Sequence, residues 1–168
     1  MTSKKPDLAA SRAEKPKIFI ALGANIPSAA GPPEMTLKAA LAALETKGVK
    51  ILAVSAFRRT MAWPDPADPF FVNAVAQIET ELQPIALLEL LHQVETAFGR
   101  KRSTPNAPRT LDLDLIDYRG QIARGKVELP HPHMANRHFV LEPLAEIAPG
   151  WRHPVTGLTV ETLLTASQ

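Results

Sequence analysis

Asp112 and Asp114 stand two residues apart in the run Arg109-Thr110-Leu111-Asp112-Leu113-Asp114-Leu115-Ile116, and no other stretch of the chain asks so plainly for chemistry. Leu111, Leu113 and Leu115 alternate with polar positions, the period-2 pattern of a half-buried strand. If the leucines face a core, the aspartates share the opposite face, roughly 6.5–7 Å apart at the usual strand rise. At an effective dielectric of about 20, two carboxylates at that separation repel by about 2.5 kcal/mol. A fold gains nothing by fixing such a pair on a rigid strand unless something positive sits between them. Oxygen ligands in a chain without cysteine suit a hard cation such as Mg²⁺. Residues 100–109, just ahead, carry Arg100, Lys101, Arg102 and Arg109 among turn-forming residues. Metal-holding carboxylates beside a mobile arginine cluster describe a site for a metal-bound polyphosphate. The plainer alternative makes the aspartates solvated, or ion-pair partners of Arg100 and Arg109, and the arginines a solvated loop.

Two further groups of residues carry potential chemistry. His131, His133 and His138 fall close together around Asn136 and Arg137. Zinc is a poor reading, because only His92 and His153 remain elsewhere and there is no cysteine. A histidine and an arginine beside a turn serve equally well for phosphate oxygens; a surface loop is the alternative. The third group is Phe70-Phe71-Val72-Asn73, where a strand asparagine shares a face with an aromatic ring. Its amide offers both a donor and an acceptor, which suits the edge of a heterocycle, or else it satisfies a neighbouring loop. His92, among apolar helical neighbours, reads as packed or surface-exposed. No Gly-rich phosphate loop with a following Lys-Ser/Thr is present, and no protein-kinase motif set.

These residues need elements to hold them. Residues 17–23 read as a strand buried on both faces, 34–47 as an amphipathic helix stopped by Gly48, and 49–57 as a second strand. Residues 58–69, with several prolines, read as a long loop, and 70–81 as a third strand. Pro84 opens a helix running to Phe98, ended by Gly99. The aspartate strand follows, then a hairpin-like stretch from Tyr118 to Leu129, short helical turns over 139–147 and a weak tail. A βαβ-βαβ order predicts an α+β, ferredoxin-like split βαβ sandwich: an antiparallel sheet with helices packed on one face, leaving the other for a site.

The totals agree with one soluble domain. An apolar fraction of 45% and a charged fraction of 21% are those of a globular protein. A net charge of +2 is compatible with anionic substrates and too small to argue for nucleic acid. No apolar run is long enough to span a bilayer. Residues 1–16 read as a disordered basic tail, and 17–168 as a single domain. A cytoplasmic, monomeric protein with neither nucleic-acid nor membrane partners is the expectation.

Ala21-Leu22-Gly23-Ala24-Asn25, Phe71-Val72-Asn73-Ala74, Gly99-Arg100, Pro108-Arg109-Thr110-Leu111-Asp112-Leu113-Asp114, Pro130-His131, Asn136-Arg137 with Phe139, and Glu146-Ile147-Ala148-Pro149 complete the pattern. In order and spacing over residues 17–165 this resembles the 6-hydroxymethyl-7,8-dihydropterin pyrophosphokinases of folate biosynthesis. The resemblance implies transfer of an intact pyrophosphate from ATP to the pterin hydroxymethyl group, releasing AMP. It implies two Mg²⁺ ions held by Asp112 and Asp114, with Arg100 and Arg109 also catalytic. ATP would be bound by Glu95, Arg100, Arg109, Thr110, His131 and Arg137. The pterin would be read by Asn73, sandwiched by Phe71 and Phe139, and contacted from Thr60. Asn106, Pro132, Ala24 and Met61 depart from the family pattern, where tryptophan, an aromatic, serine and proline are frequent; these bear on how the loops close. Two other classes compete. A module that binds nucleotide without turnover would not need the intact aspartate pair. An RNA-binding sheet would carry aromatics and cations across its strands, not carboxylates.

Overall fold

The structure, a computed structural model, describes residues 16–101 and 104–167. The expected tail up to residue 15, and Arg102 and Ser103 of the arginine loop, lie outside the described residues. Strand β1, Ile18–Ala24, runs through the middle of a five-stranded sheet. It is flanked antiparallel by β4, Phe71–Glu79, and by β5, Asp112–Tyr118. Strand β2, Lys50–Val54, lies outside β4, giving the order β2-β4-β1-β5. The first three residues of the expected long loop instead form strand β3, Arg58–Thr60, paired with the start of β4.

Helices α1, Pro33–Glu45, and α2, Pro84–Ala97, each begin with a proline, whose missing N–H costs nothing in the first turn. Past each helix lies a glycine with positive φ, Gly48 at +81° and Gly99 at +84°, conformations that favour glycine. Both helices cover one face of the sheet. Leu37, Leu44, Leu87 and Leu91 pack there with Ile20, Leu22, Leu113 and Leu115 in the main core. Fully burying a leucine contributes about 2 kcal/mol.

The other face is not left entirely open, which corrects the expectation of helices on one side only. Phe19, Val75 and Ile116 point to that side and would be stranded in water. Helix α3, His138–Ile147, covers them with Val140, Leu141 and Leu144, and α4, Val160–Ala166, adds Val160 and Leu163. The weak tail thus contains a helix, capped where Thr159 Oγ1 accepts from Thr162 N at 3.2 Å. A bulge in β5 feeds the second core. Phe19 pairs with Asp117 but Ile20 with Leu115, so Ile116 is the extra residue. The parity of the strand switches there, sending Ile116 to the second core and Tyr118 to the first. Among the described residues no helix is long and apolar enough to cross a membrane.

Candidate active site

The second face is covered only in part, and its open part is where the chemistry gathers. In one row across the sheet Gly23 stands between Asn73 on β4 and Asp112 on β5; in the next row Ala21 stands between Val75 and Asp114. The middle strand supplies two small residues and so leaves a floor between the flanking polar side chains. Gly23 cannot be larger without disturbance: a Cβ there would lie 2.9 Å from Asn73 Oδ1 and 3.9 Å from Phe71 Cδ1. Above this floor is a cavity of about 760 Å³ lined by, among others, Thr60, Phe71, Asn73, Phe139, Asp112 and Asp114. Asn73 Nδ2 donates to Thr60 Oγ1 at 2.7 Å, which fixes the amide before any ligand arrives. The four positions expected to meet the pterin therefore share one concave surface.

A smaller cavity of about 240 Å³ adjoins it, lined by His92, Glu95, Arg100, His131 and others. Arg109, Asp112, Asp114, His133 and Arg137 line both cavities, so the carboxylate pair stands at their boundary. The smaller cavity is strongly ionic. Arg100 Nη1 donates to Asp112 Oδ1 at 2.6 Å and to the buried Glu95 Oε2 at 2.7 Å. Glu95 Oε2 also accepts from Leu113 N at 3.0 Å, locking α2 to β5. Arg109 Nη1 reaches Asp112 Oδ2 at 3.3 Å. Burial opposes the charge on Arg100, but the hydrogen bond and charge of Asp112, with Glu95 and Asp114 behind, outweigh it and hold the guanidinium above its usual range. The reading of Asp112 as an ion-pair partner of Arg100 and Arg109 is thus also met.

Asp114 is less well compensated. Among the described residues its salt-bridge partner is Arg137, with Nη1 at 3.9 Å from Oδ2. Desolvation first, and then the Asp112 charge, push its carboxyl up to about 6 against the pull of Arg137, Arg100 and Arg109. A carboxylate held reluctantly charged beside another is a place where added positive charge is stabilising. No group of three His, Cys, Asp or Glu residues among those described forms a closed metal cage. Two carboxylates at the mouth of an arginine-lined cavity instead suit Mg²⁺, which keeps several waters and shares its shell with substrate phosphates.

His131 arrives from the loop after β5. Its N–H donates to Ile116 O at 2.9 Å, and the loop is pinned by Met134, wholly buried in the second core. His133 N donates to His131 Nδ1 at 3.1 Å, so the ring hydrogen of the neutral form resides on Nε2. Burial chiefly, then Arg137 and His133, lower the ring to about 4 despite Asp112. Arg137 lies over the Phe139 ring, 5.7 Å from its centroid. Of the expected site residues, Thr110 alone borders neither cavity; its Oγ1 is buried without a hydrogen-bond partner among the described residues. His92 is exposed, in line with the packed-or-surface reading, and borders the smaller cavity. Met61, Trp63 and Asn106 border the larger one, and Trp63 is 76% exposed at its mouth. The functional signal missed in the sequence is Gly23, whose lack of a side chain shapes the floor.

The family model described as 7,8-dihydro-6-hydroxymethylpterin-pyrophosphokinase (HPPK) matches residues 19–149. The chain belongs to the HPPK family. A 2-amino-4-hydroxy-6-hydroxymethyldihydropteridine pyrophosphokinase of Synechocystis sp. is 40% identical over 147 residues, 86% of this chain and 73% of that protein. The enzyme of the same name from Methylorubrum extorquens is 40% identical over 134 residues, 79% of this chain and 83% of that protein. Among solved structures, Plasmodium falciparum HPPK-DHPS superposes with a TM-score of 0.69 at 13% identity. That match covers 92% of this chain and 42% of the longer one, and speaks for the fold.

Proposed function

We infer that this HPPK family member transfers the pyrophosphoryl group of ATP to the hydroxymethyl group of 6-hydroxymethyl-7,8-dihydropterin, giving the pterin diphosphate and AMP in folate biosynthesis. The observation that carries the reading is the meeting of an aromatic, amide-bearing cavity with an arginine-lined, ionic one at Asp112 and Asp114. The pterin occupies the larger cavity, its rings between Phe71 and Phe139 and its heterocycle edge on Asn73, with Thr60 alongside. The triphosphate occupies the smaller one, facing Arg100, Arg109, His131 and Arg137, with Glu95 holding Arg100 in place and Thr110 at the root of the strand. Asp112 and Asp114 would hold two Mg²⁺ ions, and such ions would supply neutralisation of phosphate charge and acidification of the attacking hydroxyl.

The residues' own work is positioning and charge compensation. The pterin hydroxyl oxygen bonds to the β-phosphorus, the bond from that phosphorus to the oxygen bridging the α-phosphate breaks, and the hydroxyl proton passes to solvent. Arg100 and Arg109 exchange carboxylate oxygens for phosphate oxygens at no loss of charge-assisted hydrogen bonding. His131 donates through Nε2 as a neutral group. The strand order and βαβ-βαβ succession support a ferredoxin-like classification of the sheet. Residues 17–168 act as one domain preceded by a tail, and the protein works as a cytoplasmic monomer without nucleic-acid or membrane partners. Incubation with ATP, Mg²⁺ and the hydroxymethyl pterin, with nucleotides separated by chromatography, tests the activity. AMP formed in step with pterin consumption is expected; ADP, or nucleotide binding without turnover, would overturn it.

A further inference from the structure

Asn25, the residue that follows β1, is 3% exposed and makes more directed contacts than its place in a turn requires. Its Oδ1 accepts from Arg109 N at 2.7 Å. Its own N–H donates to Arg109 O at 3.1 Å, so residue 25 brackets both main-chain polar groups of Arg109. Its Nδ2 donates to Pro69 O at 3.3 Å. Pro69 ends the loop that follows β3 and leads into Phe71 and Asn73; Arg109 ends the loop that leads into Asp112. One side-chain amide therefore ties the segment entering the pterin strand to the segment entering the aspartate strand, at the place where both loops meet the sheet.

The donor and acceptor are not interchangeable. Arg109 offers an N–H and Pro69 offers a carbonyl, so the clasp needs one acceptor and one donor on a short side chain. Asparagine supplies both. Aspartate supplies only acceptors, and alanine neither. The Arg109 side chain depends on this bracket, because its Nε donates to Ala107 O at 3.2 Å and Nη1 reaches Asp112 from the fixed main chain.

We propose that Asn25 is a positioning residue that joins the two halves of the site, setting the Arg109 guanidinium against the phosphates and making pterin binding and triphosphate binding depend on each other. This rests on the pyrophosphokinase reading, and AMP formation by the wild-type protein is the control that keeps the two apart. If the wild type makes no AMP, that reading fails; if it does, the variants judge the clasp.

The test compares Asn25→Ala and Asn25→Asp with wild type in kcat, in KM for the pterin, and in pterin affinity measured calorimetrically with and without Mg²⁺ and α,β-methylene ATP. Thermal unfolding is followed alongside. A misplacement of about 1 Å at the reacting groups costs on the order of 10²-fold, so Asn25→Ala is expected to lose kcat by about that factor. The gain in pterin affinity caused by the analogue is expected to shrink towards none. Asn25→Asp keeps the acceptor for Arg109 N and loses the donor to Pro69; it is expected to retain far more kcat than alanine while raising the pterin KM. A purely structural asparagine would lower the unfolding temperature in both variants and leave kcat and the affinity gain of the folded protein unchanged. That result, equal kcat losses in the two variants, or no affinity gain in the wild type would overturn the proposal.

Discussion

Asp112 and Asp114 differ in what they lose on substitution, although they share a strand face. Asp112 holds two arginines in place, whereas Asp114 is pushed up to about 6 by desolvation and by its neighbour. Both Asp→Asn variants are expected to lower turnover by orders of magnitude at saturating Mg²⁺, because each would remove an oxygen charge from the proposed metal site. Their stabilities should diverge. An acid whose folded pKa is raised gives stability at low pH that is lost as pH rises from the unfolded value of 3.8 through about 6. Asp114→Asn should therefore raise the unfolding temperature at pH 7–8, and the gain should vanish at about pH 3 and below. A lower melting temperature at pH 8 would refute the strain assigned to Asp114. His131 makes a separate case. With the ring lowered to about 4, the folded protein resists the proton that the unfolded chain accepts near 6.5, so stability due to this residue falls as pH drops between those values. Nitrogen chemical shifts of the ligand-free protein should show an Nε2-protonated neutral ring at pH 6 with a midpoint near 4; a midpoint near 6.5 would contradict the burial and cation effects invoked here.

At the scale of elements, the sheet row is the working unit. Asn73, Gly23 and Asp112 are register neighbours on three strands, and the middle one must be small. Gly23→Ala would set a Cβ 2.9 Å from Asn73 Oδ1. The amide must then shift away from Thr60, and the pterin KM is expected to rise roughly tenfold or more, since a site's unpaired polar groups penalise the ligand they were built to read. Unchanged pterin KM with a normal fold would show that the floor tolerates a methyl group. This row was only half legible in the sequence. Period-2 patterning placed Asp112 with Asp114 between alternating leucines, and Phe71 with Asn73 on one face of another strand, because it survives without tertiary knowledge. The role of Gly23 did not show, since it depends on strand pairing between residues far apart in the chain. The same reason hid β3, three polar residues that become a strand only against β4, and hid the covering of the second face. Phe19 read as part of a strand buried on both faces, and only the bulge at Ile116 and the amphipathic α3 revealed a second core.

At the scale of the molecule, one layer of two helices stabilises the sheet and a second, partial layer leaves a site. The open end of the second face receives β4 and β5 side chains from the sheet, His131 to Arg137 from a loop anchored by Met134, and Phe139 from the first turn of α3. Many of the ionic and aromatic residues that line the candidate site were visible as motifs, because such side chains in tight spacing are unusual in a domain of modest charge. Their division between two adjoining cavities was not, because it depends on which helix covers which end of the sheet. That division carries the claim that an acceptor alcohol and a triphosphate meet across the aspartates, with attack at the middle phosphorus. ATP labelled separately at the β- and γ-phosphates tests it most directly. Both labels should travel together to the pterin and leave unlabelled AMP; transfer of the γ label alone, with the β label retained in ADP, would contradict it.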